Sequence, residues 1–150
     1  MIALLQRVNS ANVIIDEIIY SKIENGLLIF LGITNEDSYE DIEWLSNKIV
    51  NLRIFDDENG IMNQSCIDKG YNILIISQFT LHARTKKGNR PSYIDAAKPE
   101  ISEPLYNQFV EALKILTKQK IKTGIFGENM QVNLCNDGPV TIIIDSKNRR

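Results

Sequence analysis

A chain of 150 residues is long enough for one domain with a substantial core and too short for two. A hydrophobic fraction of 43%, a charged fraction of 24% and a net charge of −2 exclude a protein that holds nucleic acid by bulk positive charge. No run approaches the roughly 18 apolar residues of a membrane span, and the opening MIALLQR lacks the basic stretch of a signal peptide, so a cytoplasmic location is expected.

Residues 3–8 and 13–19 are β-rich runs, and the Asn-Ser-Ala-Asn between them predicts a hairpin-like connection. Asn25-Gly26 is a hairpin-turn signal, and the LLIFLGI that follows is apolar on both faces, as a buried strand is. Ser38 and Asp41 form a capping-box variant ahead of Ile42, Leu45, Ile49 and Leu52, whose spacing predicts a helix; Trp44 lies off that stripe. IFDDENGIMNQS reads as a short strand entering an acidic turn, and residues 72–79, NILIISQF, as a second buried strand.

A second helix is predicted over residues 102–118, with Pro104 in its first turn and Leu105, Phe109, Ala112 and Leu116 facing inward. Residues 121–126, 131–134 and 139–145 complete about eight strands. The expected fold is a mixed α/β (α+β) domain: a mostly antiparallel, barrel-like or rolled sheet with two main helices packed outside.

Familiar catalytic sets are missing. His82 is the only histidine, and neither a Gly-x-Ser-x-Gly elbow nor a Gly-rich phosphate loop is present. Cys66 and Cys135 stand alone, so they are expected as buried or half-buried free thiols, and neither a metal nor a cofactor is expected.

Three stretches carry more than punctuation. In HARTKKGNRP the cations Arg84, Lys86, Lys87 and Arg90 have no acid among them; this is either a solvated loop or a contact for a few phosphates. In SQFTL, Ser77 to Leu81, polar side chains interrupt an apolar strand; alternation would send Ser77 and Phe79 to one face, Gln78 and Thr80 to the other. Such a strand end either reaches solvent or offers hydroxyls and backbone N–H groups to a ligand. In NDGPVT, Asn136 to Thr141, a proline stands at a strand's entrance, where it cannot donate to the ladder. That is either a capped turn or a place where glycine lets the backbone approach a partner closely.

SQFTL and NDGPVT, in that order, resemble the two signature motifs of the D-aminoacyl-tRNA deacylases, also called D-tyrosyl-tRNA deacylases. The similarity extends through LQRV, GLLIFLGI, KIVNLRIFDDENGIMNQS, KGNRPSYIDAA and TGIFGENMQVNLCNDGPVTIIID, almost end to end. The resemblance implies a homodimer, with active sites at the subunit interface, that hydrolyses the ester between a D-amino acid and the 3′ end of tRNA. Glycyl-tRNA mischarged on tRNA(Ala) would also be a substrate. This is chiral proofreading that keeps D-residues out of translation, with no DNA or membrane partner.

Carried over residue by residue, Ser77, Gln78, Phe79 and Thr80 would form the pocket floor, with the Phe79 N–H as oxyanion contact. Thr80 would be the nucleophile, or the 2′-hydroxyl of the RNA would activate water instead. Gly138 and Pro139, joined by a cis peptide, would enter the partner subunit's pocket and exclude the L side chain, with Arg7 supporting them and Met130 meeting the adenosine. His82 and Arg84 depart from the family's pattern, which often has an aromatic and an acidic residue there, and make the neighbouring loop more basic. Two other classes fit less of the sequence: a catalytically silent RNA-end binding module and a nonenzymatic structural dimer.

Overall fold

The computed structural model describes residues 1–149. Its organising element is β1 (Ile2–Ile15), a strand twice the usual length. β8 (Gln131–Asp145) runs antiparallel along one edge of β1. The other edge is shared by β3 (Gly26–Gly32), opposite residues 2–8, and β2 (Ile18–Ile23), opposite residues 11–15. β6 (Asn72–Ser77) continues the sheet parallel to β3, and β7 (Ile121–Thr123) parallel to β6. The Ser21 hydroxyl of β2 donates to the Thr123 carbonyl of β7 at 2.8 Å, which brings the two ends of the sheet together into a nearly closed barrel.

The expected hairpin at residues 9–12 is absent, because β1 runs straight through them. The reversal falls at Asp16 and Glu17, both with positive φ (48° and 65°), a turn without the glycine that usually marks one. Asn25-Gly26 does not reverse the chain either. β2 and β3 lie in line along the same edge of β1, and the chain only steps sideways between them. Gly26 is needed for another reason: a Cβ there would sit 2.0 Å from the Asn72 carbonyl oxygen of the neighbouring strand.

β3 and β6 are buried on both faces, as their unbroken apolar runs predict. Leu27, Ile29, Ile73 and Ile75 face the helices, while Leu28, Leu74 and Ile76 face the barrel interior with Val8, Ala11 and Val13. The helices are α1 (Tyr39–Asn51), the single-turn α2 (Cys66–Lys69) and α3 (Pro99–Thr117); the strands β4 (Phe55–Asp56) and β5 (Met62–Gln64) form a separate hairpin between α1 and α2.

α1 begins at the capping box of Ser38 and Asp41, and Ile42, Leu45 and Ile49 are buried. α3 begins at Pro99, three residues before the expected start, so Pro104 falls in its second turn. Its buried face is Tyr106, Phe109, Val110 and Leu113; Leu105, Ala112 and Leu116 flank it. The Tyr106 hydroxyl donates to the Ile75 carbonyl at 2.9 Å, tying α3 to β6.

Residues 131–145 form one strand rather than two separated by a turn. Asn136 lies opposite Val8 and Thr141 opposite Gln6, so the four residues 137–140 stand against Arg7 alone. They bulge from the sheet, and the bulge carries Gly138 and Pro139, whose shared peptide is cis.

Candidate active site

β6 ends at Ser77, and the Gln78 N–H keeps one more bond to β3, to the Leu31 carbonyl at 2.8 Å. The chain then tightens into a 3-10 turn over Phe79–His82, so the strand alternation expected for SQFTL stops before it sorts these side chains. The leading N–H groups of such a turn have no partner within it, which leaves donors at Phe79 and Thr80. The Gln78 amide donates to the Thr80 hydroxyl oxygen at 2.6 Å.

Ser77, Gln78 and Phe79 line a pocket of about 600 Å³. Its walls come from Leu31 of β3 and Ile33 just beyond it, from Tyr93 and the first turn of α3 at Pro99 and Ser102, and from residues 126–130. Phe79 is 55% exposed and stands edge-to-face with Tyr93, ring centroids 5.0 Å apart, so two aromatic faces flank the space. Met130 also lines the pocket, and its Sδ lies 2.3 Å from where a Cβ on Gly124 would be. Only a glycine lets that thioether seat there.

His82 does not serve this pocket. Its Nε2 is buried without a hydrogen bond and lies 3.0 Å from the position of a Cβ on Gly32. Neither cysteine lines the pocket. Cys66 is buried, as expected, and burial pushes its thiol up to about 12; Cys135, contrary to expectation, is exposed on β8. A strand position whose neighbours alternate between faces does not by itself reveal which face is covered.

Arg7 is almost completely buried and reaches under the β8 bulge. Its Nε donates to the Asp137 carbonyl at 3.1 Å and forms an ion pair with the Asp137 carboxylate at 2.9 Å. Its Nη1 bonds the Ile54 carbonyl at 2.7 Å and Asp56 at 3.2 Å. Gly138 and Pro139 are exposed above it. Among the described residues the pocket lining includes neither of them, nor Arg7 or Thr80. One chain therefore carries both motifs without bringing them together.

The basic loop is anchored at its base. Arg84 and Ser92 exchange two backbone hydrogen bonds (2.8 and 3.0 Å), and the Arg84 guanidinium donates through Nε and Nη2 to the two carboxylate oxygens of Asp95. Arg84 is thus a structural cation. Lys86, Lys87 and Arg90 are exposed beyond it, and among the described residues they form no ion pair.

Sequence reasoning missed Tyr93, Gly124 and Asn136. Tyr93 sits in a loop whose path no periodicity encodes; Gly124 matters only through Met130, six residues away.

The geometry defines a small barrel protein with a partly apolar pocket at the end of a barrel strand, edged by amide, hydroxyl and backbone groups. The chain belongs to the D-Tyr-tRNA(Tyr) deacylase family, which matches residues 4–145. The D-aminoacyl-tRNA deacylase of Bacteroides fragilis is 60% identical over 149 residues, covering 99% of each chain. The enzyme class is accordingly a D-aminoacyl-tRNA deacylase, a hydrolase of the aminoacyl-tRNA ester bond.

Among solved structures, the "c-Myc DNA Unwinding Element Binding Protein" superposes with a TM-score of 0.92 at 43% identity, covering 97% of this chain and 98% of the other. A "probable eukaryotic D-amino acid tRNA deacylase" shares the fold, with a TM-score of 0.82 at 15% identity and coverage of 95% and 97%. No described helix is long and apolar enough to cross a membrane.

Proposed function

We propose that the pocket at the end of β6 hydrolyses the ester of D-aminoacyl-tRNA, and that the chain acts as a homodimer in which Gly138-Pro139 of each copy closes the pocket of the other. The observation that carries this is the separation of the two motifs. The pocket is open at Phe79, and the Gly138-Pro139 bulge is exposed, firmly anchored and outside its own chain's pocket. A second copy satisfies both.

In this arrangement the terminal adenosine lies against Met130 and the aromatic pair, with the aminoacyl carbonyl at the start of the 3-10 turn. Water, oriented by the 2′-hydroxyl of the terminal ribose, attacks the carbonyl carbon. Charge develops on the carbonyl oxygen, where the Phe79 N–H donates; one such fixed donor is worth about 2.7–4 kcal/mol of transition-state stabilisation. The bond to the ribose 3′-oxygen breaks, that oxygen takes up a proton, and free D-amino acid and tRNA leave. Gln78 holds Thr80 in place, and Ser77 supplies a polar wall.

Chirality comes from the gate. Backbone carbonyls at Gly138-Pro139 accept from the substrate's α-amino group, and their closeness leaves no room for an L side chain. Glycine has no side chain to exclude, so glycyl-tRNA mischarged on tRNA(Ala) passes the same gate. Keeping D-residues out of translation is the resulting role, and the cytoplasm the compartment where charged tRNA is met. Lys86, Lys87 and Arg90 reach the acceptor-stem phosphates from beside Tyr93.

Incubation of the purified protein with D-Tyr-tRNA and L-Tyr-tRNA tests the proposal. Release of D-Tyr alone is expected. Release of neither, as for a silent binding module or a structural dimer, or of both at equal rates, overturns it.

A further inference from the structure

We propose that Asn136 is a positioning residue for the Gly138-Pro139 bulge, and that Asp56 on the β4–β5 hairpin extends the same clamp through Arg7. This rests on the chirality gate proposed above and assigns the groups that hold it.

The Asn136 Nδ2 donates to the Arg7 carbonyl at 2.9 Å and to the Val140 carbonyl at 3.1 Å. The first bond ties the near end of the bulge to β1; the second draws its far end across to the near one. One amide therefore spans the neck of the excursion. The other anchor is Arg7, which binds Asp137 through both backbone and side chain. Gly138 and Pro139 lie between these two fixed points, Asp137 on one side and Val140 on the other.

The Asn136 Oδ1 also faces the dipeptide: a Cβ on Gly138 would come within 2.8 Å of it. Arg7 in turn is oriented by the Ile54 carbonyl and the Asp56 carboxylate, both from the segment that follows α1. Lys69 fixes that segment by donating to the Asp56 carbonyl at 3.1 Å. The clamp thus has parts from three regions of the chain, and the four bulged residues hang from it without a regular ladder of their own.

A gate that selects by steric exclusion works only if its backbone is placed to a fraction of an ångström, since a displacement of about 1 Å costs on the order of 10²-fold in a reaction. Loosening the clamp should therefore admit L-substrate before it abolishes hydrolysis of D-substrate. The measured quantity is the ratio of L-Tyr-tRNA to D-Tyr-tRNA hydrolysis rates, with oligomeric mass and thermal midpoint recorded alongside. Loss of folded enzyme lowers both rates equally and leaves the ratio alone.

Asn136→Asp keeps the side chain's shape and removes both donors; it should raise the ratio by about tenfold. Asp56→Ala, on a surface hairpin, should raise it in the same direction by a smaller factor, and decides the matter if Asn136→Asp does not fold. An unchanged ratio in the folded variants, with a wild-type protein that spares L-Tyr-tRNA, overturns this assignment alone. A wild-type protein that hydrolyses both enantiomers equally overturns the gate and this assignment together.

Discussion

The Gln78 amide donates to the Thr80 hydroxyl oxygen at 2.6 Å, while His82, two residues further on, turns its Nε2 toward Gly32. A hydroxyl becomes a nucleophile when a base within hydrogen-bond reach takes its proton. Here the neighbour is a donor, so the pair orients Thr80 and does not activate it. In the proposed mechanism the substrate's own 2′-hydroxyl directs the water.

Thr80→Ala should therefore slow D-Tyr-tRNA hydrolysis by no more than about tenfold, the worth of a single hydrogen bond. Single-turnover kinetics on folded protein measure this. A loss on the order of 10⁶-fold, as follows removal of a true nucleophile, would assign the chemistry to the side chain.

The proposed sharing of the site between two copies predicts complementation. A Gly138 variant and a pocket variant such as Phe79→Ala should each be impaired as homodimers. Co-refolding them in equal amounts should restore part of the activity, because one site in each mixed dimer combines an intact pocket with an intact gate. Mixed dimers confirmed by mass but without recovered activity would place both motifs in one chain's site.

Gly124→Ala should act through Met130. The new methyl would overlap the thioether, so the Met130 side chain must shift and the pocket wall it forms changes with it. Substrate binding should weaken, with KM rising about fivefold to tenfold, the effect of about 1 kcal/mol, and kcat changing less. If the effect runs through Met130, Gly124→Ala should change KM little when added to Met130→Ala; a further rise of the same size in the double variant argues against it.

The loop cations give a salt signature. Each phosphate contact contributes about 0.9 to the slope of log affinity against log salt on duplex nucleic acid. Replacing Lys86, Lys87 and Arg90 together by Ser should flatten the slope for tRNA by up to ~3. Arg84 is excluded from the set because Asp95 already holds it. A slope unchanged in the triple variant would leave the loop merely solvated.

Asp41 predicts an acid limb in stability. Burial alone would raise its pKa, but hydrogen bonds from Lys147 (2.8 Å), Ser146 (2.7 Å) and the Ser38 N–H (2.9 Å) outweigh that and hold it well below the ordinary 3.8. A carboxylate with a depressed folded pKa adds stability that is complete above the unfolded value and is lost as pH falls toward the folded one. Urea unfolding from pH 7 down to about 2.5 should show stability dropping below about pH 4. Asp41→Asn should be less stable at neutral pH and flatter in acid; an equally steep fall would assign the limb to other carboxylates.

Much of the chain is legible without coordinates. The double-sided burial of LLIFLGI and NILIIS, the capping box at Ser38 and the inward stripe of α1 follow from local pattern, because each depends on residues within one or two turns or strands. The motifs SQFTL and NDGPVT, by their resemblance, pointed to the chemistry. Tertiary structure decided the rest. It turned Asn-Ser-Ala-Asn into the middle of a strand, because β8 pairs along the whole of β1 and overrides the local turn preference. It made the Gly138-Pro139 stretch a bulge within one strand, since the ladder resumes at Thr141 opposite Gln6. It placed Arg7, Asn136 and Asp56 around that bulge from positions up to 129 residues apart. Sequence fixes which groups can hydrogen-bond; only packing brings distant ones within reach.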